Sequence, residues 1–349
     1  MPRLTRSPWL LPLLLPLAGC STVVLDPSGD VARQQGDLIV VATLLMLIVI
    51  VPVIALTLFF AWRYRASNKA ATYTPDWDHS TQLELVIWAV PLLIIIALGA
   101  ITWISTHTLD PYRPLDRIGK DRPVAEGTRP LEVEVVSLDW KWLFIYPEQG
   151  IATVNEMAAP VDRPVHFKLT SSTVMNAFYV PELAGMIYTM PGMQTELNAV
   201  INHPGEFEGF SSNYSGAGFS HMRFAFHATD DAGFDAWVAK VRGAGASLDR
   251  AGYLALEKPS EREPVRHYAG VEPGLYDAIL NRCVDPRRMC AHEMMAIDAA
   301  GGRPASGDGA IALLPRSRGD LRGRPFVPAA TCTAADVPGA GFSLALRAP

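Results

Sequence analysis

Residues 131–146 of this 349-residue chain have the sequence LEVEVVSLDWKWLFIY. The first half, Leu131–Val135, alternates apolar and charged side chains with the period of two that a half-buried β-strand produces. Similar alternation returns three times downstream, and Pro-Gly pairs lie between these stretches; the stretches are 165–169, 195–201 and 222–227, and the pairs are 191–192 and 204–205. This pattern predicts an antiparallel, all-β domain built as a sandwich or a barrel.

The sequence changes character after Ala228. Asp230–Val241 carries apolar residues at helical spacing, and Leu248–Leu256 and Leu275–Cys283 are also predicted to be helical. From about residue 299 the chain is rich in Gly, Ala, Pro and Arg, which predicts a disordered tail.

Two long apolar runs precede the β-domain. Leu38–Trp62 and Leu83–Ile104 each have about the 20 residues that a helix needs to cross a bilayer. Neither run has a polar stripe, which argues against two buried core helices. The loop between them carries Arg63, Arg65 and Lys69, so the positive-inside rule predicts that this loop is cytoplasmic and that the chain after about residue 106 is external.

The N-terminus has the pattern of an export signal. Arg3 and Arg6 precede a short apolar core, and residues 17–20 are LAGC. This sequence resembles a bacterial lipobox, so we expect cleavage before Cys20 and lipidation of its thiol. A buried cysteine in a plain signal peptide or anchor is the alternative.

Composition and cysteine content limit the possible partners. The net charge of −5 argues against a nucleic-acid partner, which would favour a basic surface. The four cysteines are too few for a disulfide scaffold. In an oxidising compartment Cys283 and Cys290 are predicted to form a disulfide with each other, or one of them pairs with Cys332.

Three stretches of the sequence resemble subunit II of the haem–copper oxidases. They are Ser137–Trp142 with its Trp-x-Trp pattern, Ser172–Met193 from the first copper-ligand loop to a Pro-Gly turn, and Phe210–Phe224 across the second ligand loop. The likeness covers about residues 20–241. Residues 135–142 (VVSLDWKW) and 214–216 (YSG) resemble the cytochrome bo-type ubiquinol oxidases in particular.

The resemblance identifies the positions at which copper-binding members hold their metal. Those members have a His in the first loop and the pattern Cys-x-x-x-Cys-x-x-x-His-x-x-Met in the second. The corresponding positions here are Asn176, Ser211, Ser215, Phe219 and Met222, with Asn213 where an acidic residue gives its carbonyl. Serine hydroxyls stay protonated at neutral pH and cannot bridge soft copper, so we expect that the copper pair is lost while the loop spacing and the cupredoxin fold are kept.

Other residues near these loops could in principle rebuild a metal site. The candidates are His203, His221 and His227, and the last two would share one strand face with Arg223. We predict that these histidines face solvent on a sheet. Cys283, Cys290 and His292 do not have the Cys-x-x-Cys-His spacing of a covalently attached haem.

Loss of copper implies a particular electron donor. Without a copper relay, the resemblance implies that electrons enter partner subunit I directly from ubiquinol and that cytochrome c is not a partner. Subunit I is then expected to hold the haems, the remaining copper and the quinol site, with smaller subunits III and IV beside it. This chain is expected to bind no cofactor and to be a non-catalytic subunit of a proton-pumping quinol oxidase, with Trp140 and Trp142 as an aromatic docking segment.

Glu84 is the candidate for proton chemistry. A carboxylate inside a membrane helix is a functional candidate, although near a helix end it could simply reach the interface. In the family, a glutamate in the pattern Glu-x-x-x-Trp, here Glu84 and Trp88, lies at the mouth of a proton-uptake channel of subunit I. The resemblance therefore predicts proton uptake at Glu84.

The predicted fold is a membrane-anchored, all-β protein with a two-helix transmembrane hairpin, a cupredoxin-like Greek-key β-barrel and a small helical C-terminal extension. It is expected in the bacterial inner membrane with its large domain in the periplasm. The predicted segments are a signal peptide (1–19), an external segment (20–36), the hairpin (37–107), a linker (108–128), the cupredoxin-like domain (129–229), the extension (230–298) and the tail (299–349).

Two rival hypotheses remain at this point. A cytochrome c oxidase subunit that keeps copper through other ligands is opposed by the missing cysteines, because no cysteine lies between 21 and 282. A membrane-tethered cupredoxin-like lipoprotein, acting in binding or assembly outside an oxidase, would differ in whether it co-purifies with a large haem-bearing subunit.

Overall fold

The computed structural model describes residues 22–72 and 74–299. The predicted signal peptide, the lipidation candidate Cys20, Cys332 and the tail beyond residue 299 lie outside the described residues.

Two long helices form the first part of the described chain. Helix α1 spans Asp30–Arg63 and helix α2 spans Thr81–Thr108, and both are long and apolar enough to cross a membrane. Their most apolar windows have no buried residue, as expected of surfaces that face lipid. At 1.5 Å per residue α1 is about 50 Å long, longer than a hydrocarbon core of about 30 Å, so one end must project. The projecting end carries its buried residues, Asp30, Val31, Ala32 and Gly36.

The external part is built from strands, as the alternation in the sequence predicts. The predicted linker contains a short antiparallel hairpin, β1 (Arg117–Gly119) and β2 (Arg122–Pro123), which has no alternating pattern in the sequence. The remaining strands up to residue 229 are β3 (Leu131–Leu138), β4 (Lys141–Tyr146), β5 (Ile151–Val154), β6 (Glu156–Pro160), β7 (Val165–Ser171), β8 (Asn176–Tyr179), β9 (Ile187–Thr189), β10 (Thr195–Ala199), β11 (Gly205–Ser211) and β12 (Arg223–Thr229).

Two sheets face each other across an aromatic core. One sheet contains β10, β7, β3, β4 and β5 in that order, and the other has the order β6-β12-β11-β8-β9. Most pairs are antiparallel, but β3–β7 and β6–β12 are parallel. Between the sheets, the Phe178 and Phe224 rings stack at 5.4 Å, and the Trp142 ring meets both edge-on. Such a core fixes the ends of the strands that carry the ligand loops.

The first sheet is buried on its outer face too. Every residue of β4 is buried, with Trp142 and Phe144 in the inner core and Leu143 and Ile145 in a second cluster. The C-terminal extension supplies the other side of that cluster. Its elements are α3 (Asp231–Arg242), β13 (Ser247–Leu248), α4 (Arg250–Leu256), β14 (Arg266–Tyr268), β15 (Gly270–Val271), α5 (Leu275–Leu280) and α6 (Ala291–Ala299).

The extension is more than the small helical unit that the sequence predicts. Strand β14 pairs antiparallel with β5 and becomes the sixth, edge strand of the first sheet. A three-residue strand has no readable periodicity of its own, so only pairing with β5 reveals it. Cys283 and Cys290 form a disulfide with a Cα–Cα distance of 4.8 Å, one of the two pairings that the sequence left open.

Candidate functional site

The ligand-loop cluster comprises the positions that correspond to copper ligands in the copper-binding members: Asn176, Ser211, Asn213, Ser215, Phe219 and Met222. Asn176 begins β8 and Ser211 ends β11, and these strands pair antiparallel. The pairing brings the two side chains together, and the Ser211 hydroxyl donates to Asn176 Oδ1 at 3.1 Å. Both residues are buried, with 1% and 3% of their surface exposed.

Hydrogen bonds tie the second loop to the first. The Ser211 backbone N–H donates to the Met222 carbonyl at 3.1 Å, which closes the loop across its base. Asn213 Nδ2 donates to the Met175 carbonyl at 3.1 Å, and the Ser212 backbone N–H donates to the Ala177 carbonyl at 3.0 Å. Hydrogen bonds between protein groups therefore hold the two loops together.

The remaining members of the cluster point to different surroundings. Met222 is fully buried in the core, so its thioether contributes packing. Phe219 begins a short 3₁₀ turn, Phe219–His221, and its ring lies edge-on to the exposed Tyr214 ring at 5.6 Å. The Ser215 hydroxyl is buried and has no hydrogen-bond partner among the described residues.

These residues do not fit a copper pair. The positions of the two bridging thiolates hold hydroxyls, one of which is already donating to Asn176, and the imidazole positions hold an amide and a phenyl ring. Soft copper needs thiolate, imidazole and thioether donors, and only Met222 has such a group. Among residues 22–72 and 74–299 no group of three or more His, Cys, Asp or Glu side chains is arranged to hold a metal.

Trp140 lies directly on the second ligand loop. It occupies the β3–β4 turn at φ +65°, a left-handed conformation unusual for a bulky side chain, and its indole N–H donates to the Ser215 carbonyl at 3.0 Å. A Cβ at Gly218 would lie 2.5 Å from the Trp140 ring, so only glycine permits this approach. The ring is half-buried and supports the loop from outside.

Trp142 does not belong to an exposed docking segment. Its side chain is fully buried and packs against Phe178 and Phe224. The Trp-x-Trp pattern places the two indoles on different sides: Trp140 leaves the strand at the turn, whereas Trp142 enters β4 with its side chain towards the core. A docking role can therefore be kept for Trp140 alone.

A carboxylate–histidine cluster, which sequence reasoning missed, connects the β-domain to the extension. Glu156 Oε1 lies 3.2 Å from His227 Nε2, and Glu156 Oε2 lies 2.5 Å from His267 Nε2. Burial raises the pKa of Glu156, but the His267 hydrogen bond and the charges of His267, Lys240 and His227 outweigh it and hold that pKa below its usual range. The cluster joins β6, β12 and β14, and their positions in the sequence gave no signal of this contact.

The structure revises the prediction for the histidines. His227 is largely covered through its contact with Glu156, with 23% of its side chain exposed, so it does not simply face solvent. His221 is exposed, but it lies in the 3₁₀ turn before β12 and its Nε2 is 3.1 Å from Arg262 Nη2. Of the two histidines, only His227 lies in β12, where it shares a strand face with Arg223.

Glu84 lies far along the chain from this cluster, in the first turn of α2. Its carboxylate is half exposed and lies 2.7 Å from His79 Nδ1. Trp88, four residues later and therefore on the same helix face, is 78% exposed. These two exposed side chains form a polar and aromatic surface at one end of an otherwise apolar helix.

Comparison with known proteins identifies relatives of both external parts. The family model described as the periplasmic domain of cytochrome c oxidase subunit II matches residues 134–229, and the one described as the COX aromatic-rich motif matches residues 242–287. The first match gives the β-domain the cupredoxin-like fold that the sequence predicted.

Other relatives match most of the chain. Cytochrome bo(3) ubiquinol oxidase subunit 2 of Pseudomonas putida is 53% identical over 275 residues, which cover 78% of this chain and 85% of that protein. Ubiquinol oxidase subunit 2 of Acetobacter aceti is 51% identical, covering 76% and 83%. The solved periplasmic domain of cytochrome oxidase subunit II from Bradyrhizobium japonicum is 25% identical, covering 34% of this chain and 94% of that one with a TM-score of 0.31.

Proposed function

Because this chain belongs to the family of ubiquinol oxidase subunit 2, within subunit II of the haem–copper oxidases, we propose that it is subunit II of a proton-pumping oxidase that uses ubiquinol to reduce oxygen to water. The observation that carries this function is the ligand-loop cluster. Its spacing and fold are those of a copper-bearing subunit, but hydroxyl, amide and phenyl groups occupy the ligand positions. A chain without a copper relay suits an oxidase that takes electrons from a membrane quinol.

The proposed roles of the subunits follow from the same feature. This chain partners subunit I, and we propose that subunit I holds the haems, the copper and the quinol site. With no redox group of its own, this chain would be structural and non-catalytic, and cytochrome c would not dock. Subunits III and IV complete the proposed complex.

The proposed topology combines the helices with the charged loop. The two apolar helices and the periplasmic-domain match fit a protein anchored in the inner membrane. We propose that both helices span it, that Arg63, Arg65 and Lys69 keep their loop in the cytoplasm, and that lipidated Cys20 adds an outer anchor. Cys20→Ser should abolish acylation, detected by mass spectrometry, while the protein stays in the membrane fraction. Its release from the membrane would contradict two spanning helices.

Glu84 is the proposed proton entry of this subunit. In that topology α2 begins at the cytoplasmic surface, so Glu84 lies where protons are taken up. Its exposed carboxylate, with His79 at 2.7 Å, can collect protons and pass them to subunit I. The apolar surface around it offers no competing acid in the following turns of α2.

Purification of the complete complex in mild detergent tests the function. A tagged chain should co-purify with a haem-bearing subunit whose reduced-minus-oxidised spectrum shows haem, and the complex should consume oxygen with ubiquinol and be inactive with reduced cytochrome c. A chain that purifies without haem would favour a lipoprotein outside an oxidase. Activity with cytochrome c would contradict the proposed electron donor.

A further inference from the structure

A short apolar turn precedes helix α1. The Leu25 and Asp26 backbone N–H groups both donate to the Thr22 carbonyl, at 2.8 and 3.3 Å, so the segment is compact. The side chains of Val23, Val24 and Leu25 nevertheless point outward, with 41%, 42% and 57% of their surfaces exposed. We call these three residues the apolar turn. Three consecutive exposed aliphatic side chains are unfavourable in water.

The segment after the apolar turn is fixed to the external domain. The backbone N–H groups of Ser28 and Gly29 donate to Glu182, to its carboxylate and its carbonyl respectively, both at 2.7 Å. Arg33 of α1 donates to the Pro27 carbonyl at 3.2 Å. The chain therefore leaves the domain at a defined point, and its preceding residues must run back along α1.

Gly36 shows how far along α1 the apolar turn reaches. A Cβ at this position would lie 2.7 Å from the Val24 carbonyl oxygen, so the backbone of the turn crosses α1 directly over Gly36. The uninterrupted apolar run of α1 starts two residues later, at Leu38. The apolar turn thus lies beside the point where α1 changes from a domain-bound helix to a lipid-facing one.

The exposed surfaces of the turn and the helix adjoin. Ile39 and Val40, at the start of the apolar run, have 48% and 45% of their surfaces exposed. In the topology proposed above, on which this inference rests, this level of α1 is the outer surface of the bilayer. We propose that the apolar turn, Val23–Leu25, inserts into the outer leaflet and forms a membrane contact separate from the two helices and from any lipid on Cys20.

Spin-label accessibility in the intact complex tests this contact. In a C332S background, L25C is labelled in the purified complex, which is then reconstituted into phosphatidylcholine–phosphatidylglycerol vesicles. Collision rates are measured with oxygen, which concentrates in lipid, and with a water-soluble nickel chelate. L47C, at an exposed position of α1, is the lipid reference. A236C, at an exposed position of α3, is the water reference.

We expect an oxygen-to-nickel ratio for L25C several-fold above that of A236C and close to that of L47C. A ratio like that of A236C would overturn the inference, as would low accessibility to both reagents, which would show that another subunit covers the turn. An oxygen-to-nickel ratio for L47C as low as that of A236C would instead contradict the transmembrane topology itself. The C332S parent complex, with residues 23–25 unchanged, gives the background labelling from Cys20 and from the partner subunits, and this background is subtracted.

Discussion

The ligand-loop cluster and the first turn of α2 are opposites in structure and in chemistry. The cluster is largely buried and is held by hydrogen bonds such as Ser211 to Asn176, and among its side chains only Met222 has a group that could bind soft copper. The first turn of α2 is exposed, with His79 beside Glu84, and it carries an ionisable group. The cluster thus has a hydrogen-bonded geometry without an ionisable side chain, whereas the end of α2 has an accessible carboxylate.

Restoring the copper ligands to the cluster should produce the largest change. The quadruple variant N176H/S211C/S215C/F219H should bind copper stoichiometrically and absorb in the visible and near-infrared, because Met222 and the loop spacing are already present. Metal analysis and absorption spectra of the purified protein check this, with the parent protein expected to contain none. A folded quadruple variant that stays colourless would show that the loop backbones have diverged as well.

Removing the carboxylate of Glu84 should produce the next largest change. Glu84→Gln should slow oxygen reduction by roughly tenfold, which corresponds to about 1.4 kcal/mol in the barrier, because the amide cannot transfer protons. Haem content and the KM for ubiquinol should stay nearly constant. Glu84→Asp is the matched control and should recover much of the rate. Wild-type turnover by the glutamine variant at every pH would remove Glu84 from proton uptake.

Two serines of the cluster, one with and one without a hydrogen-bond partner, test how much the Ser211–Asn176 hydrogen bond stabilises the loops. Ser211→Ala removes the hydroxyl that donates to the buried Asn176 Oδ1, so we expect a loss of about 1–2 kcal/mol in unfolding free energy. Ser215→Ala should be nearly neutral, because its hydroxyl has no partner among the described residues. Denaturant unfolding of the two variants side by side measures the difference. Equal losses would mean that the Ser211–Asn176 bond does not stabilise the loops.

Glu134 provides a buried acid to compare with exposed Glu84. Burial raises the pKa of Glu134 to about 7, with help from Asp277 and Glu132 and opposition from Lys168. The folded state therefore favours the neutral acid, and the stability it contributes at low pH is lost as pH rises from about 4.5 through about 7. Glu134→Gln cannot ionise, so it should exceed the parent by about 1 kcal/mol at pH 8, after discounting for partial exposure, and match it at pH 4.

Thermal unfolding of parent and Glu134→Gln across this pH range checks that sign. A variant that is less stable than the parent at pH 8 would show that the ionised carboxylate is held by Lys168. In either case turnover should not change, because Glu134 lies on the face of the first sheet that the extension covers and is not part of the proposed proton-entry site. The raised pKa of Glu134 is thus explained by burial, without a role in the proposed function.

The sequence predicted much of the site but placed some of its members wrongly. The ligand positions could be located because the residue spacing within each loop is a property of the local sequence. The alternation of apolar and polar residues could also be recognised in β3, β7, β10 and β12. Trp142 was misassigned to a docking surface because Trp-x-Trp gives no indication of which indole enters the core. His227 was expected to face solvent because its partner Glu156 lies 71 residues away in the chain.

By itself the sequence determined the two long apolar helices, the β-class of the following domain and the absence of Cys and His from the ligand positions, because each depends on local composition, periodicity or spacing. Only the tertiary structure decided that β14 completes the first sheet, that Cys283 pairs with Cys290, that Trp140 rests on the second ligand loop, and that the apolar turn lies beside Gly36. These contacts join segments distant in the sequence. Their free energy comes from burial and hydrogen bonding that exist only after the sheets have packed.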